Sequence, residues 1–578
     1  MHAILRTTAG RTRLVWALLP YAVFLVLYAA TFQRWVLPFE DSGREMNTAL
    51  RLAQGEVLYR DVGYFYGPLA PWLDAAILGA LGRHLGVLVA WRTLLALLGV
   101  EALRRLTRRL IVDEASAAAI CSFAIAACAF GIGGSWPFPY SVAALAGTVG
   151  AWWALELALA SESLRVSLLA GAIAGLAGGT KLELLPVALA GPLLVLSLRR
   201  SRKEAVLASA LAVGEAGIAF GAPVLAFGVD VMRRQGFLVA LDVHETWRRV
   251  YEAVLFGGMS APAFASGGFF EVLFPSALGI SLALFLSAAG ERPGRLLAPL
   301  YFVAGGLTFF SSGNRWLHAL LPLAACVAIG ALVRAAIEWR RGDPSRSAAH
   351  LGVALVMLPA LLRQPFFLRN PVYGAFSAPL ALVVALAWMA RRVSARPAFT
   401  ALVLGLCVAQ IGARVQGIGL ASMTFVRLPG VSLFVIPSEA RFLTEAARVI
   451  RETVPEGGSV GIFPEPGFLL FATGRKNPFV DELFLPEIQD AAAEDLMIRR
   501  LHERPPDALL VTNRAFPEFG SAVLGNGLLD RFFREVSRRY VPVRRIGGGA
   551  TPARHASEGI LFLPAPNGDE VKEPSRRK

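Results

Sequence analysis

The sequence predicts a polytopic α-helical membrane protein, about 13 transmembrane helices followed by a C-terminal soluble α/β domain, and three observations lead there. Hydrophobic residues make up 55% of the 578 and charged residues only 17%, with mean hydropathy +0.55; the apolar residues fall in runs near the roughly 20 that cross a bilayer core. Arginines cluster in the short segments between those runs. From residue 430 the pattern gives way to short mixed elements holding 20 basic and 20 acidic residues. The net charge of +15 therefore resides in residues 1–429. Spread over short loops, it reads as a topology signal rather than as a nucleic-acid patch.

The first apolar run, 14–31, follows Arg6, Arg11 and Arg13. It is too long for a signal peptide and lacks a small-residue cleavage site, so it reads as a first membrane helix with a cytoplasmic N-terminus. Residues 34–83 form a long mixed loop. Further spans are expected at 84–103, 115–133, 140–160, 166–180, 183–198, 205–227, 269–289, 297–312, 317–337, 350–365, 376–390 and 397–415. Alternation puts Arg104-Arg105, Arg108-Arg109, Arg199-Arg200, Arg202-Lys203, Arg292 to Arg295, Arg334 to Arg346 and Arg391-Arg392 on the cytoplasmic side, as the positive-inside rule requires. An odd number of crossings then exports the 34–83 loop, a second loop at 228–268, and the C-terminal domain.

That domain, 430–565, opens on an amphipathic helix from Ser438 to Val454, closed by Pro455. Short buried strands are expected at 459–463 and 508–512, separated by a helical segment at 488–503. The polar stretch 566–578 reads as a disordered tail. Cys121, Cys128, Cys326 and Cys407 all lie in apolar runs without metal-ligand spacing, which reads as buried small hydrophobes. Trp136, Trp152, Trp153 and Trp316 read as interfacial belt residues.

The chemistry concentrates in the 34–83 loop, with Pro38-Phe39-Glu40-Asp41-Ser42-Gly43-Arg44-Glu45, then Gly55-Glu56-Val57-Leu58-Tyr59-Arg60-Asp61, then Tyr64-Phe65-Tyr66-Gly67-Pro68. Glu40 and Asp41 stand just beyond the first membrane helix, at the depth of lipid headgroups. A carboxylate there has two readings: a solvated cap of a helix over 43–53, or a general base taking a proton from an attacking hydroxyl. Lys181, in Gly178-Gly-Thr-Lys-Leu-Glu183, interrupts an apolar region, which is costly without a partner or a wet cavity. Arg315 and His318 stand together at another span end. Each of these cations suits phosphate, and each reads equally as an interfacial anchor.

An acidic pair after the first helix, a G-x-x-x-Y-R-D segment leading to G-P, many later spans, Arg315-Trp-Leu-His318 and an exported α/β tail together resemble the GT-C superfamily of membrane glycosyltransferases. The resemblance is to bacterial relatives of the protein O-mannosyltransferases and of the lipid A aminoarabinose transferase. It implies transfer of a sugar from a polyprenyl-phosphate donor to a glycan, lipid or protein acceptor at the outer face of the plasma (inner) membrane. By that resemblance Asp41 is the base and Glu40 its neighbour; many relatives carry Asp-Asp or Asp-Glu there, so Glu40 competes for the role. Tyr59, Arg60 and Asp61 are expected near the donor lipid on an interfacial helix, with Lys181, Arg315 and His318 on its phosphate. No cofactor is expected; a phosphate leaves without a metal, and a divalent ion stays open. No nucleic acid is implied. The competing functions are a lipid or polysaccharide transporter and a noncatalytic subunit of an envelope-assembly complex. Against the first, the sequence has no repeat at matching spacing.

Overall fold

The computed structural model describes residues 8–39, 41–130, 135–234, 299, 302–303, 320–356, 371–391, 393, 396–484, 491–515, 523–548 and 556–566. Glu40, Arg315, His318, nearly all of the 228–268 loop and the 269–289 and 297–312 spans, and the tail beyond 566 lie outside them. The membrane part is built from α1 (Thr8–Ala30), α2 (Asp41–Ala53), α3 (Leu69–Leu81), α4 (Leu85–Leu110), α5 (Glu114–Cys128), α6 (Val142–Ala160), α7 (Leu164–Gly178), α8 (Leu185–Arg199), α9 (Arg202–Phe227), α10 (Val229–Arg234), α11 (Leu320–Arg340), α12 (Pro344–Val356), α13 (Pro371–Ala390) and α14 (Arg396–Arg414).

Among the described residues five helices are long and apolar enough to cross a membrane: Arg11–Ala30, Leu85–Leu110, Val142–Ala160, Arg202–Phe227 and Arg396–Gly419. Shorter apolar helices lie beside them, so this is a helical membrane protein with several spans. The surface pattern has the same cause: α1 buries Val23, Phe24 and Leu27 and turns Leu14, Val15, Leu18, Leu25 and Val26 outward, as a helix does when its other side meets lipid rather than water. α9 exposes Val206, Val213, Ile218 and Leu225 and buries Ala205, Ala208, Ala212, Ala216 and Ala219. That alanine stripe lets α7 approach closely; a Cβ on Gly171 would stand 2.4 Å from Ala208 O, and one on Gly175 2.7 Å from Ala212 O. Small residues at the seam are how helices associate where no hydrophobic force drives them together.

Contacts sort the helix ends onto two faces. At one, Arg109 pairs with Glu156, Arg199 Nη1 donates to Leu159 O, and Arg391 Nε to Leu110 O, gathering the ends of α4, α6, α8 and α13. At the other, Phe434 N donates to Gln33 O, Leu85 N to Gly430 O and Gly67 N to Thr180 O. The ends of these four helices, with the arginines of α4, α8 and α13, therefore share one face. The 34–83 segment and the C-terminal part share the opposite one.

Two departures from the sequence reading fall in the 34–83 segment. It contains α3, Leu-Ala-Pro-Trp-Leu-Asp-Ala-Ala-Ile-Leu-Gly-Ala-Leu, apolar enough to pack inside but, at 13 residues, too short to register as a span. Residues 58–62 are also a tight bridged turn, Leu58 pairing with Val62, rather than an interfacial helix. Trp136 and Trp152 are fully buried with ring centroids 6.0 Å apart, and so belong to the core and not to an interfacial belt.

The C-terminal part begins with the hairpin β1 (Thr424–Leu428) and β2 (Val431–Val435), followed by α15 (Pro437–Thr453), β3 (Val460–Phe463), α16 (Gly467–Thr473), α17 (Ala491–Glu503), β4 (Ala508–Thr512), the two-residue strands β5 (Val523–Leu524) and β6 (Gly527–Leu528), α18 (Asp530–Arg539), β7 (Tyr540–Gly547) and β8 (Glu558–Pro564). Its main sheet has the order β3-β4-β8-β7, parallel between β3 and β4 and antiparallel elsewhere. All four residues of β3 are buried, as expected of a parallel strand covered on both faces. α15 buries Phe442, Leu443, Ala446, Ala447, Val449 and Ile450. Phe463 closes a second core with Phe479, Phe484 and Phe532, centroids 5.4, 4.9 and 5.2 Å away.

Candidate active site

Asp41 is the first residue of α2, where the helix's unpaired N–H groups and dipole favour a negative charge. Its side chain is 38% exposed, with Arg44 Nη2 at 2.9 Å from Oδ1 one turn along. Arg44 itself is 5% exposed, its guanidinium 5.2 Å over the Phe65 ring and 5.7 Å from that of Tyr66. Its Nε has no hydrogen-bond partner among the described residues.

Lys181 reaches the same ring: its Nζ lies 4.5 Å from the Tyr66 centroid, and the residue is only 4% exposed. Two buried cations thus lie against one aromatic ring, whose quadrupole offsets part of their desolvation. The backbone makes this meeting possible. Gly67 N donates to Thr180 O at 2.9 Å, and a Cβ at Gly67 would stand 2.1 Å from Gly179 O. Glycine is what lets this loop lie flat on the end of α7. From the other side, Tyr59 Oη donates to Tyr66 O at 2.6 Å; Tyr59 is buried, at φ +68°.

Behind Asp41 lies a second, closed layer. Glu45 is 2% exposed, 3.5 Å from Arg44 Nη2, and accepts a hydrogen bond from Tyr64 Oη at 3.1 Å. Burial pushes its carboxyl up to about 7, against the pull of Arg44 and Arg92 and with a further push from Asp74 and Asp41. Asp74 of α3 pairs with the fully buried Arg92 of α4 and accepts from Trp91 Nε1. The Arg92 guanidinium covers the Phe138 ring at 4.3 Å. Its Nε and Nη1 have no partner among the described residues. A polar, charged interior thus backs the open carboxylate.

The structure brings together Asp41, Lys181 and, through Tyr66, Tyr59. Arg60 stands apart from them: 61% exposed at its side chain, it donates to both carboxylate oxygens of Asp61. Asp61 Oδ2 also accepts from Val57 N, so this pair braces the loop's own turn. Sequence reasoning passed over Arg44, Glu45, Tyr66 and the Asp74–Arg92 pair. Arg44 and Glu45 follow Asp41 by three and four residues, the spacing of one helix face. Asp74 and Arg92 interrupt two apolar helices, which is itself a signal of pairing.

Among the described residues no three His, Cys, Asp or Glu come together in a way that could hold a metal ion. The chemistry the site offers is proton transfer at Asp41 next to a fixed positive field from Arg44 and Lys181.

No family model matches the chain, and no curated protein matches it. Among solved structures it is similar to ArnT from Cupriavidus metallidurans bound to undecaprenyl phosphate, at 14% identity and TM-score 0.45, covering 98% of this chain and 100% of that one. The apo state of the same protein gives 14% and 0.40 over the same shares. Arabinofuranosyltransferase AftD from Mycobacteria gives 16% and 0.40, over 96% of this chain and 40% of that one. Each of these likenesses extends over nearly the whole of this chain, at low identity.

Proposed function

We propose that this protein is an integral-membrane glycosyltransferase that moves a sugar from a polyprenyl-phosphate donor to an acceptor on the non-cytoplasmic face, with Asp41 as general base. The observation that carries the reading is a half-open carboxylate at the head of α2, 2.9 Å from Arg44, whose cation and that of Lys181 both lie against the Tyr66 ring. In this reading Asp41 takes the proton of the acceptor hydroxyl as its oxygen attacks the sugar's C1. The C1–O bond to phosphate breaks, the configuration at C1 inverts, and the lipid phosphate departs with the bonding electrons. Lys181 and Arg44 stabilise that charge in a site of low dielectric, where preorganised cations act most strongly. Arg60, exposed and paired with Asp61, is left out of the set, and Tyr59 acts by holding Tyr66. The positive-inside rule assigns the arginine-rich face to the cytoplasm and this site to the opposite side.

The test is transfer of radiolabel from a polyprenyl-phosphate sugar by the purified full-length protein to an acceptor extract from the cell envelope. Label should appear in the acceptor with wild-type protein and not with Asp41→Asn. Movement of labelled lipid between leaflets without transfer would replace this reading with transport. Neither activity, in correctly folded protein, would leave a noncatalytic subunit.

A further inference from the structure

We propose that Glu482, in the C-terminal domain, is a positioning residue for the catalytic helix, so that this domain is a working part of the active site. The proposal rests on the reading of Asp41 given above.

Glu482 is 3% exposed, and its carboxylate is spent almost wholly on α2. Both oxygens accept from Asn47 Nδ2, at 2.9 and 2.8 Å, and Oε1 also takes Arg51 Nη1 at 2.5 Å. Asn477 Nδ2 completes the shell at 3.1 Å. Asn47 and Arg51 are one turn apart, so a single carboxylate grips two successive turns of the helix that begins at Asp41. Arg51 carries the grip onward: its Nε and Nη2 meet Glu56, and Nη2 donates to Asp61 O at 2.6 Å.

Further contacts bracket Asp41. Before it, Arg514 Nε donates to Phe39 O at 3.3 Å. Beside it, Gly43 and Gly467 meet backbone to backbone; a Cβ on Gly467 would stand 2.3 Å from Gly43 O, and one on Gly43 2.6 Å from Phe468 N. Beyond α2, Gly63 N donates to Val480 O at 2.8 Å. The domain therefore fixes the position of α2 on both sides of the base. A carboxylate must be held to within about half an ångström to work as a base, and a displacement of about 1 Å costs on the order of 10²-fold in rate. Glu482 touches none of the reacting groups; it acts through Asn47 and Arg51.

The experiment uses full-length protein in nanodiscs, with two readouts: hydrogen exchange of the α2 amides, which needs no substrate, and kcat for sugar transfer beside the Kd of the donor lipid. Glu482→Gln removes the charge that Arg51 meets and should speed α2 exchange at least tenfold. It should lower kcat by about 10-fold to 100-fold and raise donor Kd by much less, since α2 supplies Arg44 to the phosphate while Lys181 stays in place, a split that general destabilisation would not give. Combining it with Asn47→Asp returns a carboxylate beside Arg51, opposite the new amide, and should restore most of both. If Glu482→Gln fails to fold, Asn47→Ser, which leaves the Arg51–Glu482 pair intact, carries the same readouts. Unchanged α2 exchange, or donor Kd rising in step with the fall in kcat, would overturn the proposal. Altered α2 exchange and rescue in a protein without transferase activity would uphold the positioning and count against the reading of Asp41 instead.

Discussion

Arg44 Nη2 and Asp41 Oδ1 lie 2.9 Å apart across one turn of α2, the arginine 5% and the aspartate 38% exposed at their side chains. The cation is fixed and the carboxylate keeps an open side. A helix cap needs no such neighbour, whereas a base that must accept a proton beside a departing phosphate gains from one.

If Asp41 is the base, Asp41→Asn keeps the shape and cannot accept the proton. General-base catalysis supplies about 10²–10⁴-fold, so turnover should fall by that much while donor-lipid affinity barely moves. Glu40→Gln should be milder. The measurement is sugar transfer and donor binding on folded single variants; the opposite ranking would hand the role to Glu40, and near wild-type turnover in both would remove it from the pair.

Glu45 gives a pH prediction. Its carboxyl is pushed up to about 7 in the folded protein, chiefly by burial, from an ordinary value of 4.5. Between those values the folded state holds a proton that the unfolded state has lost, so stability declines as pH rises and the loss is complete above about 7. The difference corresponds to about 3 kcal/mol. Glu45→Gln lacks this titration. The gap in stability between variant and wild type should widen in the variant's favour from pH 4.5 to 7.5, as read by thermal unfolding in detergent. A gap independent of pH would show that Glu45 is ionised throughout.

How much of this was legible in sequence varied with the reach of each contact. Asp41 stood out because it follows a membrane helix, and Lys181 because a lysine in an apolar run needs a reason. The helix over 43–53 was legible as well, and with it the spacing that unites Asp41, Arg44 and Glu45. Helix α3 was not, since 13 mostly apolar residues, broken by Asp74, are too few to span and too many for a loop. The choice of Arg60 over Arg44 shows the limit of composition: both are arginines in one polar loop, and only packing buries one and exposes the other. Glu482 meets Asn47 across 435 positions, a distance over which no local pattern in a single sequence carries information.

The two faces make a topology prediction. Contacts put the 34–83 segment and the C-terminal domain on one side and the arginine-rich ends of α4, α8 and α13 on the other. On the proposed orientation, in which the arginine-rich face is cytoplasmic by the positive-inside rule, the first side lies outside. A reporter active only outside the cytoplasm should therefore signal when fused after Gly67 or Glu439 and stay dark after Arg200. Equal signals at Gly67 and Arg200 would contradict the two-sided arrangement, and a reversed pattern would invert the orientation.

Gly67 offers the sharpest test of how the cations are held. Its amide donates to Thr180 O, and a methyl group there would meet Gly179 O at 2.1 Å, a backbone atom that cannot swing aside. Gly67→Ala must therefore lift the loop from the end of α7, by roughly the 1.5 Å that separates that distance from ordinary contact. Tyr66 precedes Gly67, so its ring would move off Lys181, and the ammonium would lose its aromatic cover. Lys181→Met removes the cation and leaves the loop seated. If Lys181 and Tyr66 serve the donor phosphate together, both variants should weaken binding of the donor lipid, by about 10-fold or more for loss of a charge-assisted contact. Combining them should cost little beyond either alone, because each removes the same interaction. Donor affinity measured on the two single variants and the double closes the cycle. Additive losses would mean that Gly67 holds something other than the Tyr66–Lys181 pair, and unchanged affinity in Lys181→Met would take the lysine out of the phosphate site.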